Sequence, residues 1–274
     1  MEQDIRITLP PKGKHIIETL RQAGYEAYAV GGCVRDSILG REPQDWDITT
    51  SAPPERVKAL FPRTIDTGLA HGTVTVMLQG EGFEVTTYRI DGAYEDSRHP
   101  SQVTFTGELG EDLRRRDLTI NAMAYNDEAG LVDLFGGMAD LEAGVVRCVG
   151  DPRERFREDA LRILRAIRFA AQLGYGIERE TAAAMEELAP SLCRISAERI
   201  QVELVKLLVS PHPDFLRIAY DMGVTKVFLP ELDKACETPQ NHPHHCYSVG
   251  EHILKSLEHV EPDKVLRLAM LLHD

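Results

Sequence analysis

The chain has 274 residues and a formal net charge of −13, from 31 basic and 44 acidic side chains. At roughly 100–200 residues per domain this length suggests about two domains, and a composition of 43% apolar and 27% charged residues excludes a disordered chain. No apolar run approaches the ~20 residues of a membrane helix, and the N-terminus MEQDIRITLP has neither the basic nor the apolar region of a secretory leader. Five cysteines, Cys33, Cys148, Cys193, Cys236 and Cys246, form no C-x-x-C pair, so they read as reduced thiols in a cytoplasmic protein. The acidic balance argues against a DNA coat, although Arg114-Arg115-Arg116 and residues 147–168, with seven Arg against four acids, are locally basic.

The first half mixes strand and helix signals. Residues 14–23 predict a short helix ending at Gly24, YEAYAVGG (25–32) a strand running into a glycine pair, and CVRDSILG (33–40) a helical turn or two closed by Gly40. DWDITTS (45–51) reads as a second strand, and PPERVKALF (53–61) as a helix opened by prolines. HGTVTVML (71–78) and FEVTTYRI (83–90) flank Gly-Glu-Gly and predict a hairpin. Residues 91–102 read as a mobile loop, and 111–126 as helical in at least its first part. After residue 149 the strand signals nearly stop: 153–173, 178–189, 196–209, 212–222 and 248–259 all look helical. The expected fold class is α+β, with a small-sheet head at 1–146, a helical neck at 147–209 and the start of a helical body at 210–274.

Side chains along a strand alternate faces, so Asp45 and Asp47 on one strand point the same way. Two adjacent carboxylates repel unless a cation neutralises them, and hard oxygen ligands of this kind suit Mg²⁺ together with substrate phosphates. Gly31 and Gly32 let the backbone approach a phosphate closely, the following helix start offers N–H donors, and Arg35 reaches an anion from that turn. A lone D-x-D is more often a solvated turn; here strand, Gly-Gly, short helix and D-x-D fall in order within seventeen residues.

GGCVRDSILGREPQDWDI resembles the signature of the polymerase-β-like nucleotidyltransferases, in the branch that contains bacterial tRNA CCA-adding enzymes and poly(A) polymerases. RRRDLTINAMAYN, LVDLFGGMADL, RCVGDPRERFREDALRILRAIRFA and ISAERIQVEL resemble later motifs of that branch, in the same order, so that the likeness runs from about residue 14 to 274. The resemblance implies a five-stranded head followed by helical neck, body and tail. It assigns Asp45 and Asp47 to catalytic Mg²⁺, and Gly32, Arg35 and Arg116 to the incoming nucleotide. Glu84, on the next strand run, is a guess for the third carboxylate usual in such sites.

Residues 157–173 predict one amphipathic helix, with Ala160, Leu161, Ile163, Leu164, Ile167 and Ala171 on one face. Asp159, Arg162 and Arg165 lie on the other, with Arg168 at its margin. On charge alone, Glu158 or Asp159 paired with Arg162 is a surface ion pair worth ~0.2–0.5 kcal/mol. Read as a base-reading pair, the two have a definite polarity: a carboxylate only accepts and a guanidinium only donates. Cytosine and adenine each present an amine beside an acceptor ring nitrogen, which the pair satisfies, whereas guanine and uracil present a carbonyl beside an N–H. The resemblance places Asp159 and Arg162 at the base-reading positions and Arg165 and Arg168 among further nucleotide contacts. It also likens DGAYEDSRHP to a flexible loop used in adding the terminal A.

The implied activity is template-independent addition of CCA to tRNA 3′ ends from CTP and ATP, with release of pyrophosphate. The basic stretches would guide the acceptor stem, with no DNA or membrane partner, and the sequence carries no signal for oligomeric state. Alternatives are an A-adding tRNA enzyme or poly(A) polymerase of the same branch and, from another class, an HD-type nucleotide phosphohydrolase. The last rests on HCYSVGEH and LRLAMLLHD, which resemble the opening of an HD domain with His245, His273 and Asp274 as ligands. That pattern calls for a further Asp well downstream, which this chain, stopping at Asp274, does not contain, so no metal is expected there, and the chain reads as a truncated member of its branch.

Overall fold

The computed structural model describes residues 5–92, 103–239 and 247–273. The chain divides into two compact units at Asp140/Leu141. The first opens with α1 (Pro11–Gln22), which starts at a proline, buries Ile16, Ile17 and Leu20, and ends before Gly24 at φ +88°. Tyr25 N–H donating to the Leu20 carbonyl closes that end as a left-handed glycine allows. Complete burial of Ile16 and Leu20 contributes about 1.5–3 kcal/mol each.

In chain order there follow β1 (Ala27–Val30), α2 (Gly32–Ile38), β2 (Ile48–Thr50), α3 (Pro54–Leu60), β3 (Thr64–Gly68), β4 (Thr73–Leu78), β5 (Glu81–Thr87), β6 (Arg89–Asp91), β7 (Val103–Phe105), α4 (Leu109–Arg114), β8 (Met123–Asn126), β9 (Gly130–Asp133) and α5 (Gly137–Ala143). The main sheet has seven strands in the order β3-β4-β5-β2-β1-β8-β9, rather than the five the resemblance implies. Every pairing is antiparallel except β2 with β5. The predicted hairpin is β4–β5, turning through Gln79 at φ +50° and Gly80 at φ +85°, the left-handed pair that a tight hairpin turn requires. Val74, Val76, Phe83 and Val85 are buried, so Glu84 and Thr86 face the other way.

The predicted strand 45–51 is shorter than expected. It begins only at Ile48, and Asp45 and Asp47 lie in the segment leading into it. The Asp47 carbonyl still accepts from Val30 N–H at 3.0 Å, so the pairing with β1 extends one residue beyond the regular strand. The segment 111–126 is helical only in α4; a 3₁₀ turn at Thr119–Asn121 and β8 follow. Leu109 and Leu113 of α4 pack with Val30, Tyr88 and Ala124, which docks this helix on the sheet beside β1.

The second unit contains β10 (Val145–Val146), α6 (Pro152–Glu158), α7 (Leu161–Leu173), β11 (Gly176–Ile177), α8 (Arg179–Leu188), α9 (Ala197–Leu208), α10 (Leu216–Asp221), α11 (Thr225–Phe228), α12 (Pro230–Glu237), α13 (Val249–Glu258) and α14 (Lys264–Leu271). The predicted single helix 157–173 is in fact two. Asp159 is extended at φ −147°, ψ 105° and separates α6 from α7. The periodicity of the apolar residues survives the break, which is why the sequence pattern conceals it. Ile163, Ala166, Ile167 and Ala170 are fully buried, and α7 packs against α9.

A Cβ at Gly137 would stand 2.5 Å from the Thr119 carbonyl oxygen and 2.9 Å from the Met123 side chain. Gly137→Ala therefore destabilises the first unit by about 1–3 kcal/mol, the range for overpacking, and lowers its thermal midpoint measured by circular dichroism.

Candidate active site

In the first unit, Gly31 closes β1 at φ +85°, ψ −130°, a conformation suited to glycine. Its N–H donates to the Met123 carbonyl at 3.1 Å. A Cβ there would lie 3.0 Å from Arg116 Nη1, so the missing side chain lets the guanidinium come against the backbone ahead of α2.

Arg116 is brought there by α4. Asp112, completely buried, has an oxygen 3.6 Å from Arg116 Nη2 and accepts from Arg115 Nε at 3.0 Å and Nη2 at 2.8 Å. It also accepts from Thr49 Oγ1 at 3.0 Å, two residues after Asp47. Burial pushes the Asp112 carboxyl upward, but the charges of Arg115 and Arg116 and the Arg115 and Thr49 hydrogen bonds outweigh it and hold the group below its ordinary range. Burial lowers the affinity of Arg116 for its proton, opposed by Asp112 and then Asp47. Arg116 Nε is buried with no hydrogen-bond partner, while the side chain as a whole is 19% exposed, so the guanidinium can meet an anion from its open side. Sequence reasoning passed over Asp112, although its place four residues before Arg116, on one helix face, is a usable signal.

Desolvation raises the Asp47 carboxyl above its ordinary range; Arg116 opposes that and Asp45 adds to it. As a residue Asp47 is exposed, so it is crowded by protein yet open to solvent. Glu84 is raised by desolvation, then by Asp47 and Asp45. Asp47 and Glu84 thus feel their acidic neighbours, although no group of three or more His, Cys, Asp or Glu among the described residues is gathered closely enough to hold a metal. Two neighbouring aspartates with one nearby arginine fit a hard divalent cation that fills its remaining positions with water and phosphate oxygens. Cys33, behind the pair, is pushed up to about 11 by burial and by the Asp47 charge.

Gly32 opens α2. Arg35 is buried, with Nε and Nη2 on the Asp36 carboxylate at 2.9 and 3.0 Å and Nη1 on Asn121 Oδ1 at 2.5 Å. Its guanidinium is thereby tied within the unit.

In the second unit the arginines are tethered by acids. Arg162 pairs with Glu158 at 2.6 Å, as one of the two helical pairings predicts, and Arg155 holds the other Glu158 oxygen at 2.5 Å. Asp159 instead accepts from Leu161 N–H at 3.0 Å and from Arg199 Nη2 at 2.6 Å. Arg168 is buried, with Nε on Glu203 at 2.7 Å and Nη1 on Gln172 at 2.9 Å, and its guanidinium carbon lies 3.6 Å from the Phe169 ring centre. Arg165 Nη1 is 3.9 Å from Glu203. Neither Arg199 nor Glu203 was found from the sequence; each lies more than thirty residues from its partner, and no local pattern links them.

The loop 91–102 lies outside the described residues beyond position 92, as do His245 and Asp274. The His273 ring stacks at a tilt on His252, centres 5.2 Å apart, and its Nδ1 meets the Met270 carbonyl at 2.7 Å.

Residues 27–147 match the poly A polymerase head domain, and residues 174–236 match a domain described as the probable RNA and SrmB-binding site of polymerase A. The CCA-adding enzyme of Lactiplantibacillus plantarum is 55% identical over 200 residues, 73% of this chain and 49% of that protein. That of Ligilactobacillus salivarius is 50% identical over 225 residues, 82% of this chain and 54% of its own. The chain spans about half the length of these curated relatives. Among solved structures, the Bacillus stearothermophilus CCA-adding enzyme in complex with CTP aligns with a TM-score of 0.76 and 42% identity over 83% of this chain and 57% of that one. The Thermotoga maritima CCA-adding enzyme complexed with tRNA-CCA aligns with a TM-score of 0.68 and 25% identity over 96% and 66%.

Because folding raises the Asp47 carboxyl, the unfolded chain ionises there first, and stability is lost as pH rises from the unfolded value through the folded one. Asp47→Asn removes that loss. In metal-free buffer its melting temperature should exceed that of the parent near pH 7.5, and the difference should vanish by about pH 3, below the ordinary range of a carboxylate.

Proposed function

Since the chain belongs to the family that carries the poly A polymerase head domain, we propose that it is the catalytic portion of a cytoplasmic tRNA nucleotidyltransferase that adds CCA to tRNA 3′ ends from CTP and ATP. The observation that carries this reading is in the first unit: Asp45 and Asp47 beside the half-buried Arg116, whose guanidinium lies against Gly31 at the start of α2. That combination suits a triphosphate accompanied by a divalent cation.

Asp45 and Asp47 would hold Mg²⁺, with Glu84 adding negative charge nearby. The bound cation would supply positive charge to the transferring phosphate. Arg116 would donate to phosphate oxygens from beside Gly31, and the backbone at Gly31-Gly32 would let the chain approach closely. Arg35 would fix the α2 turn through Asp36 and Asn121. The tRNA 3′-hydroxyl oxygen attacks the α-phosphorus in line. The new O–P bond forms as the bond to the β-phosphate bridging oxygen breaks, pyrophosphate leaves, and the hydroxyl proton is released.

Asp159 and Arg162 would choose the base. Asp159 accepts from the exocyclic amine of C or A while Arg162 donates to the adjacent ring nitrogen. Guanine and uracil would leave both polar groups facing a like partner, which is a strong ground for rejection. Arg165 and Arg168 would support the nucleotide through the acid-tethered face of α7. The basic residues at 114–116 and 147–168 would meet the acceptor stem by phosphate and shape contacts.

The test is incorporation of labelled CTP and ATP into tRNA ending before the CCA, after one C, and after CC, with Mg²⁺ present. Two C followed by one A is expected, falling to background in Asp45→Ala/Asp47→Ala. Incorporation of A alone, or equal extension of arbitrary RNA, would overturn the CCA reading in favour of an A-adding or poly(A) activity.

A further inference from the structure

The base-reading proposal places a demand on geometry. Cytosine and adenine need the acceptor on the amine side and the donor on the ring-nitrogen side. Uracil and guanine offer the reverse order, a carbonyl beside a ring N–H. A carboxylate and a guanidinium that can shift past one another satisfy both sets. Discrimination therefore depends on preventing that exchange, more than on the identity of the two groups.

Asp159 is poorly placed to hold itself. It lies between two helices in extended conformation, and a carboxylate turns in a broad, two-fold torsional well. One oxygen is fixed locally by Leu161 N–H at 3.0 Å. The other is fixed by Arg199 Nη2 at 2.6 Å, from α9, forty residues away. Both side chains are largely withdrawn from solvent, at 14% and 22% exposure, so the pair is not a freely screened surface contact. Arg199 has a firm base, since α9 is packed on α7. The cations on the same helical stretch are engaged differently: Arg155 and Arg162 both pair with Glu158. The arrangement has two tethers, Glu158 for the guanidinium and Arg199 for the carboxylate.

We propose that Arg199 is a positioning residue for nucleotide selection: it locks the direction of the Asp159 carboxylate, so that the chain accepts an amine-bearing base edge and rejects a carbonyl-bearing one. This rests on Asp159 reading the base. It makes Arg199 a determinant of which base is bound, with no part in binding phosphate.

The experiment is calorimetric titration of the whole chain with CTP, UTP, ATP and GTP, and with inorganic tripolyphosphate as a probe lacking a base. Arg199→Met is expected to reduce the preferences for CTP over UTP and for ATP over GTP about tenfold, the scale of one charge-assisted hydrogen bond, with tripolyphosphate binding unchanged. Arg199→Lys, which restores a cation with a single point of contact, should recover part of the preference. Asp159→Asn should lose it, and adding Arg199→Met to Asp159→Asn should cost nothing more, since the two act as one unit. Should Arg199→Met melt below the assay temperature, Arg199→Gln carries the same expectation with the stem retained. Preference lost in Asp159→Asn but intact in both Arg199 variants would overturn the inference while leaving base reading by Asp159 standing. Absence of preference in the parent chain, or preference that survives Asp159→Asn, would remove the base-reading proposal and this inference with it.

Discussion

One buried carboxylate, Asp112, ties together the parts of the first unit on which the candidate chemistry depends. It is fully shielded from water, so its charge must be met by protein, and it is met from three directions: Arg115 and Arg116 on its own helical stretch and Thr49 on β2. An ionised group in such a place is costly unless paired and hydrogen-bonded. The requirement fixes the rotation of α4 over the sheet, because Leu109 and Leu113 must reach the apolar cluster while Asp112 reaches Thr49. Arg116 is then carried against Gly31, and Asp47, two residues before Thr49, is carried along with β2. The head site follows from burying a charge and satisfying it.

The second unit applies the same chemistry to another end. Three acids hold five arginines: Glu158 takes Arg155 and Arg162, Asp159 takes Arg199, and Glu203 takes Arg168 and, at longer range, Arg165. These side chains are mostly withdrawn from solvent, and the gain from such a pair is largely offset by the cost of desolvating its charges. The value of these lies in direction. A guanidinium hydrogen-bonded to a fixed carboxylate has few orientations left, and the same contact holds the carboxylate in place. In the head, by contrast, the Arg116 Nε is left without a partner. A phosphate is a nearly symmetric anion and tolerates a loosely matched donor, whereas a base edge is a fixed pattern of donor and acceptor and does not.

Much of this was legible in the sequence, and the exceptions share a cause. The hairpin β4–β5, the helices α1, α2 and α8, and the order of strand, glycine pair and D-x-D are local patterns, and local patterns survive reading along the chain. What was misread depends on contacts across the chain. The break at Asp159 is invisible to periodicity because the apolar face continues on both sides of it; a side-chain bond to Leu161 N–H and a tertiary bond to Arg199 stabilise an extended residue there. Strand β2 begins later than DWDITTS suggests, since pairing with β1 becomes regular only from Ile48. Strand β3 was missed outright: it is an edge strand whose residues are mostly exposed, so it lacks the alternation that reveals a half-buried strand. Arg35 was legible as an arginine beside a phosphate-type turn, but its engagement with Asp36 and Asn121 was not, because Asn121 lies 86 residues away.

The net charge of −13 takes on meaning in this light. A chain that grips polyanions through unpaired Lys and Arg binds any of them, with an affinity set mainly by counterion release. Here the arginines nearest the candidate sites are held by carboxylates, so each presents part of its hydrogen-bonding capacity and little of its long-range field. The acids lower general attraction for nucleic acid and, in the same contacts, hold the guanidinium groups in place. An excess of acid is therefore consistent with a nucleotide- and RNA-directed protein whose recognition rests on hydrogen-bond pattern at short range, where a misplaced donor or acceptor costs more than bulk charge can return.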